Sequence, residues 1–166
     1  MMGKPAARIT DNVAHPLPPV LTGGPGSPNV LIGSLPAWRG VLAAAVPALQ
    51  SAKQISDTAI QVAEAATLAA AGTPGAPAAL ATEQTTKATS AATMGSAIAA
   101  AAAGADIHNC ATPLPLPPHG PGVVIDGSQT VLINNLPASR MGDTVLEALG
   151  PPNKIIKGDF TVLIGG

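Results

Sequence analysis

Four side chains of this sequence are suited to a soft or borderline metal: His15, His108, Cys110 and His119, the only histidines and the only cysteine among its 166 residues. Three imidazoles and one thiolate complete the tetrahedral shell of a structural zinc and leave no position for water. His15 follows Arg8-Ile9-Thr10-Asp11, whereas His108-Asn109-Cys110 and His119 flank or occupy one proline-rich loop, Ala111 to Pro118. A single histidine beside proline is ordinarily an exposed loop residue. All four lie outside the alanine-rich middle of the chain, and that grouping favours a shared metal. A cysteine nucleophile would require Cys110 to be free and activated by His15, His108 or His119. Glu64, Glu83 and Glu147 are isolated carboxylates, and Gly23-Gly24-Pro25-Gly26 has no lysine after it to make a phosphate loop. The reading is therefore not an enzyme. A lone cysteine also excludes an intramolecular disulfide.

The elements that must hold these residues differ along the chain. Residues 1–40 and 104–166 are rich in Pro, Gly and Val/Leu/Ile triplets, while residues 41–103 are dominated by alanine. In the middle stretch, Gln50, Lys53, Gln54, Asp57, Gln61 and Glu64 recur at spacings of three and four, opposite Leu49, Ala52, Ile55, Ala59, Val62 and Ala66. Gly72-Thr73-Pro74-Gly75-Ala76-Pro77 interrupts that pattern. The expectation is two antiparallel helices, leaving near Arg39 and returning near Asp106; the alternative is a partly disordered Ala/Thr linker. The apolar run Ala97–Ala103 falls well short of the roughly 20 residues a bilayer span needs. No signal-type apolar stretch follows the opening Met-Met-Gly-Lys.

Hydrophobic residues make up 46% of the chain but aromatic ones only 1%, so a core must be built from small branched side chains. Such a thin core gains from a structural metal, whose binding free energy is coupled to folding. Charged residues reach 10% and the net charge is −1, which argues against nucleic acid as a partner.

A repeat is the most informative pattern. Gly26-Ser27-Pro28-Asn29-Val30-Leu31-Ile32-Gly33-Ser34-Leu35-Pro36-Ala37-Trp38-Arg39 recurs as Gly127-Ser128-Gln129-Thr130-Val131-Leu132-Ile133-Asn134-Asn135-Leu136-Pro137-Ala138-Ser139-Arg140. A third copy begins at Gly158-Asp159-Phe160-Thr161-Val162-Leu163-Ile164, and its missing half is Gly3-Lys4-Pro5-Ala6-Ala7-Arg8. Each unit reads as a short β-branched strand, a turn suited to positive φ, and Pro-Ala-x-Arg. A unit split between the two ends predicts that those ends meet. Three units predict pseudo-threefold symmetry.

Pro5-Ala6-Ala7-Arg8, with its variants Pro36-Ala37-Trp38-Arg39 and Pro137-Ala138-Ser139-Arg140, resembles the motif of the PAAR-repeat proteins, which tip the spike of type VI secretion and related contractile injection systems. The resemblance covers residues 1–40 and 104–166 and implies a mainly β fold, a small cone of three β units, here with an inserted α-helical hairpin at 41–103. It implies a zinc near the apex on His15, His108, Cys110 and His119. It also implies a base that sits on a trimeric VgrG-like spike, one tip per trimer. Val30, Leu31, Ile32, Val131, Leu132, Ile133, Val162, Leu163 and Ile164 are the expected spike-binding residues. An effector or chaperone is a further partner, the target membrane is met only transiently, and the protein is cytoplasmic until it is fired outward on the spike. Two departures stand out. Asp11 and Asp143 follow their arginines at three residues, whereas Arg39 is followed by Gly40-Val41-Leu42. The insert is the second, and it raises the alternative of a membrane-interacting or cargo-carrying adaptor. Because Gly166 falls within the last β unit, no toxin is expected beyond it.

Overall fold

The fold is described from a computed structural model covering residues 3–15, 20–113 and 118–166. It combines short β-strands with two long helices, α1 (Val46–Ala70) and α2 (Ala76–Ala102). The short strands are β1 (Lys4–Ala6), β2 (Leu31–Ile32), β3 (Leu35–Pro36), β4 (His108–Pro113), β5 (Pro118–Val124), β6 (Leu132–Ile133), β7 (Leu136–Pro137), β8 (Thr144–Glu147), β9 (Asn153–Lys154) and β10 (Asp159–Ile164).

Two of the repeat copies form hairpins in the same register. Leu31 faces Pro36 and Ile32 faces Leu35 in one; Leu132 faces Pro137 and Ile133 faces Leu136 in the other. Their turns use Gly33 and Ser34 (φ 54° and 66°) or Asn134 and Asn135 (φ 53° and 64°), the double positive φ that a two-residue hairpin of right-handed twist demands. The split copy reproduces the pairing without a turn: β1 is antiparallel to β10, with Leu163 opposite Pro5 and Ile164 opposite Lys4. The glycine that opens each copy has one cause. A Cβ on Gly26, Gly127 or Gly158 would lie 2.6, 2.9 or 3.1 Å from the Cβ of Pro36, Pro137 or Pro5.

The three copies are linked head to tail. Trp38 N–H donates to the Ala7 carbonyl (2.9 Å), Ser139 N–H to that of Trp38 (3.0 Å), and Ala7 N–H to that of Ser139 (2.9 Å), closing a cycle. Isolated bridges follow the same circuit, Arg8 with Ala37, Arg39 with Ala138, and Arg140 with Ala6. Ala6, Ala37 and Ala138 pack with Ile32, Ile133 and Ile164 in one buried cluster.

Each Pro-Ala-x-Arg arginine is fixed by an aspartate. Arg8 donates from its backbone N–H to Asp11 Oδ2 (2.8 Å) and from its guanidinium to both carboxylate oxygens (3.1 Å each). Arg140 does the same with Asp143, at 2.8 Å from the backbone and 3.0 Å from Nε. Arg39, whose neighbouring sequence offers no aspartate, takes Asp106 from beyond both helices: backbone N–H, Nε and Nη2 all lie 2.9 Å from its carboxylate. In all three pairs the aspartate N–H donates to the arginine carbonyl at 3.1 Å. The helices therefore leave and re-enter the β region inside a repeat unit, between an arginine and its aspartate.

The hairpin is not detached. Leu49 of α1 and Met94, Ile98 and Ala102 of α2 share a core with Val41, Val123, Leu136 and Leu146. The two helices begin with proline in the first turn, as expected for a position whose N–H has no helical partner. The side of α1 that faces inward departs from the sequence expectation. Ile55 and Val62 are 71% and 65% exposed, while Leu49, Lys53, Ser56 and Ala63 are buried. In an alanine-rich helix the apolar contrast between faces is weak, so tertiary contacts choose the face. Lys53 pairs with Asp57 one turn on, and Lys87 of α2 pairs with Glu83 (2.6 Å) and with Glu64 across the hairpin (2.8 Å). Among the described residues, no helix is long and apolar enough to cross a membrane.

Candidate metal centre

His15, Cys110, His119 and Glu147 each direct one ligand atom to a common spot, all of these atoms lying within 4.8 Å of one another. His15 comes from the segment after Asp11, Cys110 from β4, His119 from β5 and Glu147 from the end of β8. Pairing of β4 with β5 and of β5 with β8 brings the last three together; Gly122 lies opposite both His108 and Glu147. The bridge of Val13 to Ile155 carries the His15 segment to the same region.

The contacts are short. His15 Nε2 lies 2.8 Å from Glu147 Oε1 and 3.6 Å from Cys110 Sγ. His119 Nδ1 lies 2.7 Å from Glu147 Oε2, which also accepts from Asn153 Nδ2 at 3.1 Å. The His15 and His119 rings are 4.9 Å apart, centre to centre. The carboxylate of Glu147 is wholly buried.

His108 is beside this group and outside it. Its Nε2 is 3.6 Å from Glu147 Oε1, it is fully buried, and among the described residues neither ring nitrogen has a hydrogen-bond partner of good geometry. The structure thus brings three of the four sequence candidates into one cluster and places the fourth at its edge. Glu147, read from the sequence as isolated, proves to be the hub: it contacts two histidines of the cluster and stands next to the third. Its partners lie 132 and 28 residues away, and carboxylates are common; the one local signal is its place four residues after Asp143, matching that of His15 after Asp11.

Electrostatics fit a cation-binding role. Burial pushes the Glu147 carboxyl above its ordinary range, against the pull of His119, and likewise raises the Cys110 thiol. Burial lowers His15, and burial together with the neighbouring His15 lowers His108 to about 4, against a small opposing effect of the Val20 backbone. Burial thus favours the neutral, ligating form of His15 and His108, and a divalent cation would offset the cost of an ionised thiolate and carboxylate. Two nitrogens, one sulfur and one carboxylate oxygen suit a tetrahedral metal of the zinc class.

The four-stranded sheet β4-β5-β8-β9 and the segment ending at His15 thus bring together a His/Cys/His/Glu group that could hold a metal ion. The family model of the PAAR motif matches residues 116–166, which is consistent with a PAAR-repeat protein of type VI secretion-like systems. No curated protein and no solved structure matches the chain.

Proposed function

We propose that this chain is the piercing tip of a contractile injection apparatus, a small cone of three pseudo-threefold β units seated on a trimeric VgrG-like spike, one tip per trimer. Its split β domain would comprise residues 1–40 and 104–166, with 41–103 as an insertion. The observation that carries this reading is the closed cycle of backbone hydrogen bonds among Ala7, Trp38 and Ser139. A single asymmetric chain that repeats one unit three times around a circuit can match a threefold partner. The PAAR motif supports the same role.

The expected spike-binding residues divide by layer. Ile32, Ile133 and Ile164 are only 6–7% exposed and belong to the central cluster, where each contributes about 1.5–3 kcal/mol of burial. Leu31, Leu132 and Leu163 are 62%, 56% and 60% exposed, one from each unit, and are the residues assigned to the joint. Val30 is half-buried against the central cluster, whereas Val131 and Val162 are exposed. A structural zinc at the His/Cys/His/Glu group would tie together strands that a thin core holds weakly. In this reading the protein is not an enzyme, waits in the cytoplasm, and leaves the cell on the fired spike. The exposed Ile55, Val62 and Leu68 of α1 favour an accessory role for the hairpin in carrying an effector or engaging a chaperone.

Co-purification tests the reading. The chain should be recovered with a trimeric β-helical spike at one copy per trimer, and Leu132→Glu with Leu163→Glu should abolish recovery while leaving the circular dichroism spectrum unchanged. A doubly substituted, folded protein that still binds the spike at full occupancy would remove these leucines from the joint.

A further inference from the structure

The three arginine-bound aspartates give a common numbering to the three units, and that numbering separates the candidate ligands. Asp11, Asp106 and Asp143 are equivalent by their contacts, each accepting from the backbone and guanidinium of its arginine and donating its own N–H to that arginine's carbonyl. Four residues after them stand His15, Cys110 and Glu147. Two residues after them stand Val13, His108 and Val145, all three of which are completely buried. One repeated position thus supplies three members of the cluster, and another supplies three core side chains, of which His108 is one.

We infer that the metal is held by His15, Cys110 and Glu147, each from the same position of a different unit, with His119 as the fourth ligand, and that His108 occupies a core position filled by valine in the other two units. This rests on the metal reading given above and names its ligands. Both oxygens of Glu147 already face ligand nitrogens, Oε1 toward His15 Nε2 at 2.8 Å and Oε2 toward His119 Nδ1 at 2.7 Å. His108 has no such convergence: among the described residues neither of its nitrogens makes a well-formed hydrogen bond, and its Nε2 stays 3.6 Å from Glu147 Oε1, as for a ring packed where an aliphatic side chain also fits. The donor set is two imidazoles, one thiolate and one carboxylate, with a formal charge of −2 that balances a divalent cation.

The test compares His108→Val, Glu147→Ala and Glu147→Cys with the parent, using the full chain purified with zinc and then with cobalt in its place. Bound metal is measured by mass spectrometry, coordination by the visible and near-ultraviolet absorption of the cobalt form. The parent should hold one zinc per chain, His108→Val should retain it, and Glu147→Ala should lose it. Glu147→Cys should retain metal and raise the thiolate-to-cobalt band about twofold, because a second sulfur enters the shell. Retention in Glu147→Ala, or loss in His108→Val, would overturn the ligand assignment while leaving the metal intact. A Glu147→Cys protein that binds cobalt without a stronger thiolate band would also overturn it, making Glu147 a positioning residue for His119. A folded parent that takes up neither zinc nor cobalt would refute the metal reading itself.

Discussion

The β region and the helical hairpin both bury cations, and they do so differently. Arg39 and Arg140 are buried and held at several points, their backbone N–H groups and guanidinium groups converging on one aspartate. Lys53 and Lys87 are also buried, yet their partners Asp57 and Glu64 are 39% and 48% exposed. A planar guanidinium fork fixes both distance and direction, whereas an ammonium on a flexible stem fixes little beyond charge. The β region is thus specified by directional polar contacts on very short strands. The hairpin is specified by helix propensity and by the few side chains it sends into the shared core.

That contrast can be broken at its strongest point first. Asp106→Ala strands the Arg39 guanidinium in a buried site and releases the return of the hairpin, and it should cost about 3–5 kcal/mol in chemical denaturation. If the loss is under about 1 kcal/mol, the arginine–aspartate clamps are not what holds the β region. Next, Ile98→Ala removes a wholly buried side chain where α2 meets the β core, and about 2–4 kcal/mol should be lost. The same measurement would separate the regions if helicity by circular dichroism survived while β-region stability fell. The smallest change is expected for Glu64→Ala, since its carboxylate is half exposed and Lys87 keeps Glu83; thermal denaturation should register no more than about 1 kcal/mol. A larger effect would mean that the cross-hairpin pair is structural and that the two regions are more alike than their chemistry implies.

The sequence made the repeat units legible because glycine, proline and turn residues act locally. Gly26, Gly127 and Gly158 were visible as unit starts, and the split copy followed from placing Gly3–Arg8 after Ile164. His15, Cys110 and His119 were legible for another reason: histidine and cysteine are rare here and few in number. What escaped was long-range. Asp106 completes the Arg39 clamp across 67 positions, and Glu147 joins its histidine partners only after β5 and β8 pair. The inward face of α1 escaped because alanine, serine and lysine stems pack nearly as well as Ile55 and Val62 would.

The seam between β1 and β10 has a consequence for how the molecule is made. Arg8 and Asp159 meet at 2.6 Å although 151 positions separate them, whereas the two helices are adjacent in the chain. Local contacts form early and distant ones late, because the entropy of closing a long loop must be met before its contacts help. The hairpin can therefore shorten the route between Arg39 and Asp106 before that clamp closes. The circuit of Ala7, Trp38 and Ser139 lacks support from β10 until that strand has been synthesised, so β1 is an open edge while the residues between the two strands are made. A chaperone acting on this protein would have its longest window at that edge.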